Sequence, residues 1–339
     1  MKTPTHLNGL ILFGLAWLLG MLLLIPVDYE WTMLLRQHRI AWFDRWMAQS
    51  LFEGEPLGGG DPVIFLLIFV VIAYFMVWKK GASSRFLAWR PHLGFFLVSM
   101  LTISVMMVHS LKWVVGRARP SYVLKGLLPY SDWFEFGPHF ITEGTYRGSL
   151  PSGHTAQVFI LMTLTYVLLM APIKFKHQRF IGWVWGGASL LYTILMGLSR
   201  CMHLSHWVSD VVFATGISWI LMHLIYHHLL RVPQQEAYFD RYGHFPILPR
   251  AWEIQLCFTL FGAVVGCMGF MLGIRALLLG TGWLLQVSLL SAGALFAAYF
   301  TWKSIQFVSR VRSAFGNAPA GVRETDRVRE FKGDTRVGG

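Results

Sequence analysis

Charge is scarce in this chain. Only 14% of its 339 residues are Asp, Glu, Lys or Arg, against about 25% in an ordinary soluble domain. That deficit excludes a soluble globular fold and implies a polytopic membrane protein. Cysteine is also scarce. Cys201, Cys257 and Cys267 cannot build a disulfide framework. Cys257 and Cys267 lie in an apolar run and are expected core residues, and nothing beside Cys201 marks it as a nucleophile. Acidic residues number 17 against 29 basic ones, for a net charge of +12. No basic stripe interleaved with stacking aromatics accompanies that excess, so nucleic acid is not an expected partner. The basic residues lie mainly in short loops and a tail next to apolar runs, where they set topology. No small-x-small cleavage pattern follows the first apolar run before Asp28, so that run is expected to stay as a signal anchor.

What the chain has in abundance is apolar sequence. It is 55% hydrophobic, and its 15 Trp suit the belts at a membrane interface. Eight spans are predicted, near 7–27, 62–78, 92–112, 154–172, 181–199, 208–229, 253–273 and 277–300. Lys79, Lys80, Arg85 and Arg90, then Lys174, Lys176 and Arg179, then Arg231, Arg241 and Arg250 occupy alternate loops. These loops and both termini are therefore expected on the cytoplasmic side. The fold class is all-α, a polytopic membrane helix bundle with a six-helix core and a C-terminal two-helix hairpin. Residues 1–230 form the six-span core, 231–302 a linker and the hairpin, and 303–339 a basic, disordered tail. Segment 28–61 reads as amphipathic helices lying on the membrane surface. Gly273-Ile274-Arg275 reads as the joint of the hairpin, itself a packing or oligomerisation appendage.

Three polar clusters fall on the outer side. Lys112 and Arg119 are seven residues apart, two helical turns, and share a face if the third span continues to Pro120. Pro151-Ser152-Gly153-His154 reads as the first turn of the fourth span, with Ser152 as N-cap and unpaired N–H groups suited to an anion. An ordinary capped helix would also explain that stretch. His206 and Asp210 are spaced i, i+4, so on a helix the carboxylate fixes the imidazole tautomer and raises the basicity of its other nitrogen. Together Lys112, Arg119 and Arg200 can surround a phosphoryl group. His206 can attack phosphorus, and His154 can protonate the leaving oxygen and then activate water. No step requires a metal or other cofactor. A metal pair of His203 with Asp210 is disfavoured by the cations nearby, and Arg117 is expected to face solvent.

Lys112-x6-Arg119-Pro120, Pro151-Ser152-Gly153-His154 and Ser199-Arg200-x5-His206-x3-Asp210 resemble the three signature motifs of the type 2 phosphatidic-acid phosphatase superfamily, complete and in order. The resemblance covers roughly 60–225. It implies a phosphohistidine on His206 supported by Asp210, with His154 as general acid and base. It also implies phosphate binding by Lys112, Arg119, Ser152, Gly153 and Arg200. The expected substrate is a lipid phosphate within the membrane: undecaprenyl pyrophosphate, phosphatidic acid, phosphatidylglycerol phosphate or lipid A. The expected place is the inner (plasma) membrane, with the site on the periplasmic or outer side. A phosphotransferase would carry the same motifs. A transporter is disfavoured, because the ionisable residues gather at one boundary and no inverted repeat of broken helices is evident. A soluble vanadium-dependent haloperoxidase shares the anion site but not the spans.

Overall fold

Helix is the only regular secondary structure among the described residues of the computed structural model, which are 5–50, 57–79, 83–137, 147–171, 175–280 and 282–315. A segment in lipid must satisfy its own backbone N–H and C=O groups, and a helix does so within itself. The main elements are α1 (Thr5–Leu24), α2 (Asp28–Gln37), α3 (Ala41–Ala48), α4 (Asp61–Val77), α5 (90–115), α6 (Pro120–Leu124), α7 (Gly153–Met170), α8 (Gln178–Met202), α9 (208–229), α10 (Val232–Tyr242), α11 (Trp252–Leu278) and α12 (Trp283–Phe315). Seven segments, in α1, α5, α7, α8, α9, α11 and α12, are long and apolar enough to cross a membrane, and α4 is a shorter apolar helix. The molecule is a multi-pass membrane protein.

The bundle is apolar inside and outside, as lipid solvent allows. Phe95, Val98, Ile103, Ala156, Ile160, Met196, Ala214 and Met222 are buried between helices. Leu12, Leu15, Leu19 and Leu23 of α1 point outward, as do Leu284 and Leu295 of α12. Helix α7 packs on α8 and α9, α4 on α5, and α1 on α9. Helix α5 passes through a π-helical stretch at Met100–Met107 before its last turns, Val108–Val115. The two C-terminal helices lie along one another over most of their length. Their approach needs small residues: a Cβ on Gly266 would meet the Ala297 nitrogen at 2.2 Å, and one on Gly293 the Phe270 nitrogen at 2.3 Å. Gly262 and Gly266 thus act as the small pair that lets helix backbones touch in lipid.

Several expectations change. The hairpin joint is not at 273–275. Helix α11 runs on to Leu278, and the chain reverses around Gly280, whose φ is +66°. Gly273 is a packing residue instead, facing Leu290. Arg275 is buried with its charge on backbone carbonyls, so it needs no water-exposed turn. The linker after 230 contains helix α10, which packs on α5 and α12. Helix α12 extends to Phe315, so the start of the expected tail is helical; 316–339 lies outside the described residues. Cys267 is exposed on the outer face of α11, not in the core. Segment 28–48 is helical, but it is no detached surface layer. Helices α2 and α3 pack on α8, α2 also on α9, and Asp28, Thr32 and Asp44 are buried.

Candidate active site

The third span ends where glycine dictates. Helix α5 stops at Val115, and Gly116 takes the left-handed conformation that closes a helix C-terminus (φ 62°). Arg119 is extended, as a residue before proline prefers, and Pro120 opens α6. Lys112 and Arg119 are therefore not two turns of one helix, and Pro120 begins a helical turn where the sequence reading had it end one. The last carbonyls of α5 are all answered. Lys112 C=O accepts from the Gly148 N–H (3.0 Å) and Val115 C=O from the Gly137 N–H (2.7 Å). Arg275 donates to the carbonyls of Trp113 (3.3 Å), Val114 (3.0 Å) and Gly137 (2.8 Å). The loop between α6 and α7 and the C-terminal hairpin together hold the end of the helix that carries Lys112.

Lys112, Arg119, Gly153, His154, Arg200 and His206 line one 440 Å³ cavity, with His109, Arg147 and His203. Among the described residues no Asp or Glu lines it. Lys112 is buried and donates to the carbonyls of Gly148 (3.2 Å) and Ser149 (3.0 Å). Arg200 donates from Nη2 to Asp44 C=O and to Ser199 Oγ, both at 3.3 Å. Arg147 donates from Nη2 to His109 Nδ1 (2.9 Å). Guanidinium has no acceptor, so His109 carries its proton on Nε2. Ser152 sits at the N-cap position of α7 but does not cap with its side chain; its hydroxyl pairs with Thr155 Oγ1 at 2.8 Å. It is fully buried behind the cavity wall, where its N–H donates to Asp210 C=O (3.2 Å).

His206 stands just before α9. Its Nδ1 lies 3.5 Å from Asp210 Oδ2, a loose contact of the kind a bound substrate tightens. Burial pushes the His206 imidazole down to about 3, the Lys112 charge adds to that shift, and Asp210 opposes it. The ring is thus neutral at physiological pH. Asp210 caps its own helix by accepting the Trp207 N–H (2.9 Å), while its Oδ1 accepts from Arg117 Nη1 (2.7 Å). Arg117 is fully buried, not solvent-facing, because this carboxylate and that of Asp28 pair with it. His203 pairs with Asp44 Oδ2 (3.4 Å) rather than Asp210, and no group of three His, Cys, Asp or Glu among the described residues could hold a metal. Burial opposes the Asp44 carboxylate form, but Arg39 and His203 outweigh it and hold the acid below its ordinary value. Burial and Arg200 lower the His203 imidazole against the pull of Asp44.

Residues 93–233 match the PAP2 superfamily. Over that segment the chain is similar to members of the PAP2 superfamily. No match was found among curated proteins and none among solved structures. That match supports a phosphatase- or phosphotransferase-type activity on phosphate esters, and the apolar helices point to lipid substrates. The PAP2 segment contains Lys112 through Asp210, but not Asp28, Asp44 or Arg275. Sequence reasoning missed those three and misjudged Arg117. The available signal was thin: Asp28 is the first acid after a long apolar run, and Arg117 follows a glycine inside the Lys112–Arg119 motif. His139, Glu143 and Tyr146, in the long loop before Ser152, lie outside the described residues.

Proposed function

We propose that the protein is an integral-membrane lipid phosphatase that removes phosphate from a headgroup monoester or diphosphate through a phosphohistidine on His206. The observation that carries this reading is the shared cavity: four histidines and four cations converge, and among the described residues no carboxylate lines it to repel a phosphate. Lys112, Arg119 and Arg200 bind the non-bridging oxygens, whose charge grows at the transition state. His206 attacks phosphorus through Nε2 while Nδ1–H faces Asp210. His154 gives its proton to the leaving lipid oxygen as the P–O bond breaks. His154 then takes a proton from water, the hydroxyl adds to phosphorus, and the N–P bond breaks to release phosphate and neutral His206. Gly153 and Ser152 shape the wall beneath the phosphate.

The site reads as outward-facing in the inner (plasma) membrane, with both termini inside. Arg250 donates to Trp78 C=O at the C-terminal end of α4, and Arg312 to His228 C=O at the end of α9. These cations gather at the end of the bundle where α5 begins, away from Lys112, as the positive-inside rule expects of a cytoplasmic face. A lipid phosphate at headgroup level then meets the cavity without leaving the bilayer.

Phosphate release by purified protein in detergent tests the reading. The panel holds undecaprenyl pyrophosphate, phosphatidylglycerol phosphate, phosphatidic acid and lipid A. Release from one lipid, cut about 10³-fold or more in His206→Ala, is expected. Undiminished turnover in that variant removes His206 as nucleophile. Turnover that appears only with an acceptor lipid makes the protein a phosphotransferase instead.

A further inference from the structure

Helix α2 lies outside the PAP2 segment, yet its first residue reaches the dyad. Asp28 is 1% exposed. Its Oδ1 accepts the Ser209 N–H (2.8 Å), and its Oδ2 accepts both the Ser209 hydroxyl (2.5 Å) and Arg117 Nη2 (2.8 Å). Arg117 donates from Nη1 to Ser209 Oγ and to Asp210 Oδ1, both at 2.7 Å, and from Nε to Ser131 C=O (2.9 Å). The same helix grips both ends of the 203–207 turn. Arg36 donates to Met202 C=O (3.1 Å), and Thr32 Oγ1 accepts the Val208 N–H (3.2 Å). We infer that Asp28 and Arg117 are positioning residues for His206, acting through Asp210; the inference rests on the phosphohistidine reading above.

Two physical effects carry it. The first is orientation. Arg117 takes Asp210 Oδ1, and its own fork is fixed by Asp28, Ser209 and Ser131. The carboxylate cannot rotate, so Oδ2 stays turned toward Trp207 N–H and His206. The second is charge. When the His206 Nε2–P bond forms and the leaving oxygen departs, the imidazole becomes cationic. Arg117 alone would cancel Asp210 and leave that cation unsupported. Asp28 returns the Asp28–Arg117–Asp210 chain to a net charge of −1, in a buried site where charge acts strongly. The chain thus favours the charged ring formed during transfer over the neutral ring that binds substrate.

The test uses the full chain in detergent with phosphatidic acid as probe. Asp28→Asn keeps the shape and removes the charge. Its kcat is expected to fall about tenfold or more, with KM changed by less than about twofold, because binding rests on the cavity cations. A folded Asp28→Asn with kcat within about twofold of the parent overturns the inference, and so does a loss carried by KM alone. Should Asp28→Asn fail to fold, Ser209→Ala replaces it. That variant cuts the hydroxyl link and leaves both carboxylates, and kcat should fall about threefold at constant KM; an unchanged kcat overturns the inference. The ¹⁵N spectrum of the His206 ring reads the same point without turnover. One Nδ1–H tautomer is expected in the parent and a mixture in the variant, and identical spectra overturn the inference. If the parent releases no phosphate from any lipid, the functional reading fails while the ring spectrum still decides the positioning role.

Discussion

Helix α5 carries a polar cluster at each end, and the two are built on opposite plans. At its start Arg90 lies 3.6 Å from Glu253 and over the Trp78 ring, and Tyr74 donates to Glu253 Oε2 (2.7 Å). Two residues on, His92 faces Glu236 at 3.0 Å. Here Arg90 and His92 each meet a carboxylate directly, and the group is sealed between α4, α5, α10 and α11. At its end Lys112 joins Arg119, Arg147 and Arg200 around an open cavity, while the nearest acids, Asp210, Asp28 and Asp44, stand behind the wall. A buried charge needs a counter-charge. The first cluster supplies it from the protein and holds helices together. On the phosphatase reading proposed above, the second leaves the cavity side for an anion that arrives with the substrate.

The comparison breaks most visibly at the lysine. Lys112→Gln should lower kcat/KM about 100-fold or more while the unfolding midpoint holds or rises, since it removes a buried cation from among other cations. A variant that loses stability and keeps activity would put Lys112 in the first kind of cluster. Glu253→Gln should do the reverse. It strips Arg90 of its counter-charge and should cost about 3–5 kcal/mol of stability, read as a lower unfolding midpoint in detergent, with kcat per folded molecule unchanged.

Acid separates the ends more gently. His206 titrates near 3 when folded and near 6.5 when unfolded. Between those values the unfolded chain binds a proton that the folded one refuses, so stability from this group is present above about pH 6.5 and declines as pH falls toward 3. His206→Gln should flatten that part of the pH–stability curve; an unchanged curve would mean the folded ring already protonates near 6.5. The smallest effect is expected at Arg275→Gln. Leaving α5 carbonyls partly unanswered should cost about 1–3 kcal/mol and raise KM a few-fold by loosening Lys112. A normal KM at full stability would return the hairpin to a mere appendage.

The sequence by itself determined the broad plan. Scarce charge and long apolar runs specify a helical membrane protein, because lipid accepts no other backbone arrangement at this composition. Local spacing brought His206, just before α9, to within 3.5 Å of Asp210 in its first turn, and the three motifs were readable as one anion chemistry. Only the tertiary structure decided what stands behind them. Gly116 ends α5 before Arg119, a stop that a count of helical turns passes over. Arg117 and Asp28 are 89 positions apart, and Arg275 is 161 from Val114, so no period in the sequence relates them. Their charges look like interfacial or loop charges until packing removes the water. Once it is gone each must find a partner, and those forced pairings hold the cavity wall in place.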